Sequence, residues 1–264
     1  MKKLNRVVIT GASSGIGREM AIELGKRGVN LVLTARRVEL LENLAKELRA
    51  KGLKVDVIAL DLMSPAAPQK LMEFCEQGGE IDGLINNAGT GPYRSFVSSN
   101  LKDHQNVLQL NLVSLTELCH LFGQHMLKHA RPSFILNVAS VAAYQAVPKF
   151  AVYSASKFYV RIFSQILRHE LKDTNVSVSC LCPGGTATEF LQNNNQRLKG
   201  KFSPLMSADD VARSGIEGAL RGKAVIVPGL FNKLSCLLPR VLPSTLSIAL
   251  ADWGMRLAVT EQEK

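Results

Sequence analysis

Short apolar runs alternate with amphipathic stretches along most of the chain. The runs lie at 6–10, 31–33, 55–60, 81–86, 134–139, 176–181 and 224–227. The stretches between them repeat apolar residues at helical spacing, at 15–28, 38–50, 65–77, 101–128, 151–172 and 208–220. Strands that are apolar on both faces and separated by helices indicate a parallel sheet covered on both sides. The pattern therefore predicts a doubly wound α/β fold with right-handed crossovers.

Two segments fall outside this alternation. Residues 186–204 follow the strand predicted at 176–181, and residues 229–264 are rich in Leu and Pro. We find no internal repeat, low-complexity tract or linker in the rest of the sequence. We therefore expect a single domain at 1–228, in which 186–204 forms a lid, followed by an apolar C-terminal extension at 229–264.

Composition narrows the class of protein. The 264 residues are 46% hydrophobic and 20% charged, which argues against intrinsic disorder. The five cysteines are odd in number and form no CxxC pair, so we expect a reduced, cytoplasmic protein. No targeting segment is expected, and prolines and charges interrupt the most apolar stretch, at 234–253, so it does not match a membrane span.

The formal net charge of +10 is the one unusual property of the composition. Nucleic acid, a membrane surface or a phosphorylated ligand could each explain it, and so could a solvated basic surface. Charge alone does not choose among these four explanations.

A glycine-rich turn joins the first predicted strand to the first predicted helix. Gly11 permits the tight turn, Gly15 the close approach of a pyrophosphate and Gly17 the contact between helix and strand. The amides at the helix start then face the phosphates, with the positive end of the helix dipole behind them. The strand before and the helix after support a dinucleotide site. Its candidate residues are Gly11, Ser13, Ser14, Gly15, Ile16 and Gly17.

The end of the second predicted strand distinguishes the two nicotinamide dinucleotides. A site that prefers NAD places Asp or Glu there, whereas this chain has Arg36 and Arg37 and no acid before Glu39. A guanidinium binds a 2′-phosphate with bidentate geometry. We expect NADP(H) as the cofactor, with Arg36 as the main contact and Arg37 as a secondary one. The alternative is that both arginines only face solvent.

Two further segments follow predicted strands and should reach the same crevice. Asp61 and Leu62 are placed to meet the adenine, and the segment 86–89 supplies Asn87, Ala88 and Gly89. Asparagine amides at such positions can also satisfy buried backbone groups, and both roles can hold together.

A tyrosine and a lysine lie four positions apart in the helix predicted at 151–172. This spacing places Tyr153 and Lys157 on one helical face, where an ammonium should lower the pKa of the phenol. Tyr153 then serves as general acid or base. Ser140 ends a strand and can hold a carbonyl oxygen beside Tyr153, and Asn111 could bind a water that relays protons to Lys157.

These motifs together resemble the short-chain dehydrogenase/reductase superfamily over residues 5–228. The turn TGxxxGxG, Asp61, NNAG at 86–89, Asn111, Ser140, YxxxK and Pro183-Gly184 occur in that family's order. The resemblance implies a Rossmann-type fold and a catalytic tetrad of Asn111, Ser140, Tyr153 and Lys157. It further implies that Lys157 binds the nicotinamide ribose. Four residues would flank the nicotinamide: Pro183, Gly184, Thr186 and Thr188. Thr186 stands where many members carry Val or Ile, and this departure resembles a subgroup of acyl- and steroid-type reductases.

The expected reaction transfers a hydride between NADPH and a ketone or secondary alcohol. Tyr153 would protonate the carbonyl oxygen and Ser140 would stabilise it. The extension suggests a lipophilic substrate, such as a 3-oxoacyl or steroid-like compound, if it is a lid. An interface in a homo-oligomer is equally consistent with its leucines, and a peripheral membrane contact is a third alternative.

Other functions are less well supported by the residues. An NADPH-sensing regulatory protein on the same fold is the main alternative, although it would not need all four tetrad residues. No nucleic-acid motif accompanies the positive charge. His125 and His129 are spaced like zinc ligands, but they lack the Glu and third ligand of HExxH, so no metal is expected and a solvated helix end is favoured.

Overall fold

A seven-stranded parallel sheet forms the centre of the structure, a computed structural model that describes residues 4–190, 196–198 and 205–261. Its strands are β1 (Arg6–Thr10), β2 (Asn30–Ala35), β3 (Val55–Ala59), β4 (Gly83–Asn86), β5 (Ser133–Val138), β6 (Val176–Leu181) and, after the short β7 (Gln196–Leu198), β8 (Val225–Ile226). β7 pairs antiparallel with β9 (Val259–Glu261) outside this sheet. The predicted doubly wound parallel sheet is thus confirmed.

Helices cover both faces of the sheet. They are α1 (Gly15–Gly25), α2 (Val38–Arg49), α3 (Ala67–Gln77), α4 (Leu101–Leu108), α5 (Leu115–Leu127), α6 (Ala151–Glu170) and α7 (Ala208–Leu220). α1, α2 and α7 pack on one face through residues such as Met20, Leu41 and Ile216. Residues of α3, α5 and α6, among them Leu71 and Phe122, fill the other face. The strands are therefore apolar on both sides, as their sequences predict.

The strand order β3-β2-β1-β4-β5-β6-β8 reverses direction between β1 and β4. In doubly wound sheets, the crevice beyond the carboxyl ends of the strands at such a point holds the ligand. The glycine turn after β1 and the NNAG segment after β4 meet there, because Val7 pairs with Gly83 and Ile9 with Ile85. The topology therefore places the predicted dinucleotide motifs side by side.

The helix predicted at 101–128 contains a change of winding. α4 passes into a π-helical segment at Gln109–Ser114 and then into α5. A π-helical turn widens the helix locally and often occurs at functional positions. Asn111 lies within it and is fully buried.

The expectation of a solvated helix end at His125 and His129 is wrong. The Ile81 backbone N–H donates to His125 Nε2 at 3.1 Å, and His129 Nε2 lies 3.1 Å from the Ile81 carbonyl oxygen. Both imidazoles thus bind the backbone just before β4, and His129 is only 9% exposed. Within the described residues, no group of three His, Cys, Asp or Glu side chains is arranged to hold a metal.

Two helices follow β8. α8 (Leu230–Val241) continues through Pro239, and α9 (Ser244–Ala258) begins just after Pro243. Several of their apolar side chains are exposed, including Leu234, Val241 and Trp253. Among the helices that the structure describes, none combines the length and hydropathy needed to cross a membrane.

Candidate active site

A cleft of about 940 Å³ opens at the carboxyl ends of the sheet strands. Every candidate site residue predicted above lines it except Gly17 and Asn111, which lie behind its wall. The cleft wall includes the glycine turn, Ser140, the YxxxK pair and the segment 183–188, and α8 and α9 contribute its outer side. Residues from at least six elements therefore converge on one site.

The glycine turn is shaped by backbone that a side chain would not tolerate. Gly15 has a φ of +56°, and a Cβ there would also press on Thr188. A Cβ at Gly17 would collide with Nδ2 of Asn87 and with the Gly11 carbonyl oxygen. Gly17 thus permits the close contact of α1 with Asn87 and Gly11. Gly15 keeps the floor of the cleft free of a side chain.

The N-terminus of α1 is open toward the cleft. Its N-cap residue, Ser14, makes no side-chain capping hydrogen bond to the helix. The first amides of a helix lack partners within the helix and bind anions readily. Since Ser13, Ser14 and Gly15 all line the cleft, a pyrophosphate fits the donors that this structure offers.

The two arginines after β2 differ in their surroundings. Arg37 donates from Nη2 to Ser14 Oγ at 2.8 Å and to Ser13 Oγ at 3.2 Å, and it lies 2.8 Å from Glu189 Oε2. Arg36 is exposed and lines the same part of the cleft. Arg37, expected to be the lesser contact, is therefore the arginine bound to the glycine turn.

The asparagines after β4 hold the site from behind. Asn87 Nδ2 donates to the carbonyl oxygens of Thr10 and Gly11, at 3.0 and 3.1 Å. Asn86 Nδ2 donates to Asn137 Oδ1 at 2.9 Å, inside the core. These amides satisfy buried backbone and side-chain groups, which was one of the two roles considered. After β3, Asp61 accepts a hydrogen bond from the Met63 backbone.

Tyr153 and Ser140 are hydrogen-bonded to each other within the cleft. The tyrosine ring packs beside Phe150 and Phe190, whose ring centroids lie 5.0 and 5.7 Å from its own centroid. Ser140 Oγ also accepts the Ala142 N–H at 3.1 Å, which fixes its position at the end of β5. The two hydroxyls can therefore approach one oxygen atom of a ligand.

Lys157 lies beneath Tyr153 on the same face of α6. Its Nζ donates to the Val138 carbonyl oxygen at 2.9 Å and is 5.7 Å from the centroid of the tyrosine ring. Burial lowers the pKa of Lys157 to about 8. Burial also raises the pKa of Tyr153 to about 12, while the Ser140 hydrogen bond opposes that rise. The expected lowering of the Tyr153 pKa by Lys157 is therefore wrong for this structure, because desolvation dominates.

Asn111 binds the loop after β4 and the helix α6 together. Its Nδ2 donates to the Thr90 carbonyl oxygen at 2.9 Å and to Ser156 Oγ at 3.0 Å, and its Oδ1 accepts the Thr90 N–H at 3.1 Å. Both amide hydrogens are thus engaged, and Oδ1 retains one lone pair. A Cβ at Gly89 would lie 3.4 Å from both Asn111 Oδ1 and Lys157 Nζ. A water between Asn111 and Lys157 would have to bind Asn111 through the remaining lone pair of Oδ1.

Several site residues were not predicted from the sequence. Gly91 lies against the Tyr153 ring, and Asn232 of α8 packs against Gly184, where a Cβ would collide with its side chain. Glu189 meets Arg37, as described above. Among these residues, only Gly91 offered a signal in the sequence, as a glycine close to the NNAG segment. The contacts of Asn232 and Glu189 join distant parts of the chain, so the sequence pattern did not indicate them. Of the lid predicted at 186–204, residues 191–195 and 199–204 lie outside the described residues.

Comparison with known proteins identifies the family. A family model for short chain dehydrogenase matches residues 5–199. Mouse (Mus musculus) 17-beta-hydroxysteroid dehydrogenase type 3 is 34% identical over 194 residues, covering 72% of this chain and 63% of that protein. The chain belongs to the short-chain dehydrogenase/reductase superfamily, as its motifs predicted, although it spans less than two thirds of this curated relative.

Solved structures with the same fold bind either nicotinamide dinucleotide. A short-chain dehydrogenase from Sphingobium yanoikuyae in complex with NADPH has a TM-score of 0.80 and 28% identity, covering 91% of this chain and 96% of that one. One from Burkholderia phymatum in complex with NAD has a TM-score of 0.81 and 26% identity, covering 89% and 92%. A nicotinamide cofactor is therefore supported.

Proposed function

We propose that this protein is an NADP(H)-dependent oxidoreductase that interconverts a ketone and a secondary alcohol. The observation that carries the proposal is the hydrogen-bonded pair of Tyr153 and Ser140, with the buried Lys157 beneath it. This group lies in the same cleft as the open N-terminus of α1. A proton donor for a carbonyl oxygen and a binding site for phosphates are thus side by side.

The cofactor, when bound, supplies the hydride that reduces the carbonyl carbon. Tyr153 donates its hydroxyl proton to the carbonyl oxygen, and the Ser140 hydroxyl donates a hydrogen bond to the same oxygen as negative charge develops there. The charged form of Lys157, 5.7 Å from the centroid of the tyrosine ring, offsets only part of the desolvation cost of the phenolate that remains on Tyr153. Asn111 positions α6 through Ser156, and its free lone pair can hold a water that returns a proton toward Lys157.

The end of β2 supports NADP(H) rather than NAD(H). No carboxylate is present at positions 35–38 to accept hydrogen bonds from a ribose 2′-hydroxyl, and two guanidinium groups line that part of the cleft. Arg37 is hydrogen-bonded to Ser13 and Ser14, whose hydroxyls offer further hydrogen bonds to a phosphate. We assign Arg36 and Arg37 jointly to the 2′-phosphate.

We propose a lipophilic substrate held under the two C-terminal helices. Phe190 and Val147 line the inner part of the cleft, and Phe231, Leu250 and Met255 line its outer side. A site with few polar groups selects apolar molecules of matching size. The steroid named in the mouse relative is of this class, and a 3-oxoacyl compound is the second candidate.

The outward side chains of α8 and α9 suggest a further contact. Leu234, Val241 and Trp253 are exposed, and a subunit interface in a homo-oligomer would bury them. A peripheral membrane contact is the alternative occupant of this surface. All five cysteines are buried thiols, which suits the reducing cytoplasm.

The experiment is a panel of carbonyl compounds, followed by the consumption of NADPH or NADH. We expect turnover with bulky steroid ketones or 3-oxoacyl thioesters and little turnover with small ketones such as acetone. Tight NADPH binding without turnover on any carbonyl would favour the alternative of an NADPH-sensing regulatory protein.

A further inference from the structure

An ion pair joins two distant parts of the chain across the proposed cofactor site. Arg37 follows β2, and Glu189 lies on the segment after β6. Arg37 Nη2 is 2.8 Å from Glu189 Oε2, and the same nitrogen donates to Ser14 Oγ and Ser13 Oγ. One cationic group is therefore shared between a carboxylate and the two hydroxyls of the glycine turn.

The backbone next to Glu189 is held close to the glycine turn. Thr188 precedes it and packs over Gly15, where a Cβ would lie 3.1 Å from the Thr188 methyl carbon. The hydrogen bond from Arg37, with a second from Ser14, lowers the pKa of Glu189, although partial burial opposes them. Glu189 is therefore an anion at neutral pH, placed at the rim of the cleft.

This anion lies on the groups that would bind a phosphate. A 2′-phosphate attracts guanidinium and hydroxyl donors, and Arg37, Ser13 and Ser14 supply both. A neighbouring carboxylate repels a phosphate dianion and occupies one of the donors that would otherwise bind the phosphate. NADP(H) and Glu189 therefore compete for the same cation, whereas NAD(H) carries no 2′-phosphate and leaves the pair undisturbed.

We infer that Glu189 is a specificity-determining residue, which competes with the 2′-phosphate of NADP(H) for Arg37 and so reduces the preference for NADP(H) over NAD(H). The inference rests on the proposed function, in which Arg37 faces that phosphate. The effect of Glu189 on cofactor preference is small, because the side chains of Arg37 and Glu189 are each 45% exposed and solvent screens their attraction.

The test measures dissociation constants for NADPH, NADH and 2′,5′-ADP at equilibrium, by fluorescence and calorimetry, without any turnover. Glu189→Gln removes the charge and keeps the shape. We expect it to tighten the binding of NADPH and of 2′,5′-ADP by about two- to fivefold and to leave NADH unchanged. Weaker NADPH binding, or an equal shift for NADPH and NADH, would overturn the inference.

Two further variants separate this inference from the proposed function. Glu42→Gln removes a similarly exposed carboxylate, paired with Arg49 on α2, and should change none of the three constants. Arg37→Gln should weaken NADPH binding, and adding Glu189→Gln to it should then tighten NADPH binding by less than Glu189→Gln does alone, because only the direct repulsion remains to be relieved. If Arg37→Gln weakens NADPH but Glu189→Gln does nothing, only the competition is wrong. If Arg37→Gln leaves NADPH unchanged, the assignment of the 2′-phosphate to Arg37 fails first.

Discussion

Gly91 lies directly against the ring of Tyr153, so that a Cβ at position 91 would fall 2.6 Å from the tyrosine Cγ. The loop after β4 therefore determines where the hydroxyl of Tyr153 points. The same ring also contacts Phe150 and Phe190. The proposed acid is thus held by residues that have no reactive groups.

Gly91→Ala should displace the Tyr153 ring and lower kcat by at least about tenfold, because small displacements of reacting groups are costly. Affinity for NADPH should change little, since the glycine turn lies elsewhere in the cleft. The control is Gly123→Ala in α5, where a Cβ would meet nothing within 4 Å. That variant should retain full activity. Equal kcat values for the two variants would contradict the role given to Gly91.

Tyr153→Phe should reduce kcat by a factor of about 10² to 10⁴, because the carbonyl oxygen loses its proton donor. NADPH affinity should stay within about twofold of the original value, since the ring and its packing remain. Tyr159→Phe on the same helix is the matched control, because that hydroxyl is hydrogen-bonded to Thr116 near the surface. Activity in Tyr153→Phe comparable to that of Tyr159→Phe would refute the mechanism.

Lys157 should make the stability of the cofactor-free protein depend on pH. Its folded pKa of about 8 lies below the ordinary value of 10.5, so between these pH values the unfolded chain binds one more proton. The free energy of unfolding therefore rises with pH in this window, by up to about 1.4 kcal/mol per unit, relative to Lys157→Met.

Below pH 8 both states bind the proton, and the full cost of burying the charge, about 3 kcal/mol, is present. Urea unfolding of the wild type and of Lys157→Met across pH 7 to 10 measures the difference. A difference that does not change with pH would show that Lys157 titrates normally in the folded protein.

Arg36→Asp should shift cofactor preference from NADPH toward NADH. The new carboxylate repels a 2′-phosphate and can accept hydrogen bonds from a ribose hydroxyl instead. We expect the ratio of kcat/KM values for the two cofactors to change by at least about tenfold. Lys46→Asp, on the exposed side of α2, makes the same change of charge away from the cleft and should leave the ratio unaltered. Unchanged NADPH affinity in Arg36→Asp would remove this residue from the site.

Phe231→Ala should raise KM for bulky substrates by about tenfold, with a smaller effect on kcat, because Phe231 lines the outer side of the cleft. Leu234→Ala, one turn further along α8, is the control. Leu234 is exposed and does not line the cleft, so KM should be unchanged. If instead Leu234→Ala alone alters the protein, by changing its oligomeric size, α8 is an interface rather than a wall of the site.

The sequence by itself determined the sheet, its helices and nearly half of the residues that line the cleft. These features are local or periodic: strands buried on both faces are apolar throughout, and the glycine turn and YxxxK have fixed spacings. Chain order then placed the NNAG segment and Ser140 at the carboxyl edge of the sheet. Even the long helix before β5 was predicted, although its π-helical turn at Asn111 was not.

Only the tertiary structure decided how these groups influence one another. The hydrogen bonds of His125 and His129 to the backbone before β4, and the pairing of Arg37 with Glu189, join positions far apart in the chain. The pKa values of Tyr153 and Lys157 depend on desolvation, which is a property of everything packed around them and not of their spacing. Sequence patterns report periodicity and local geometry, whereas burial and long-range contact exist only once the chain has folded.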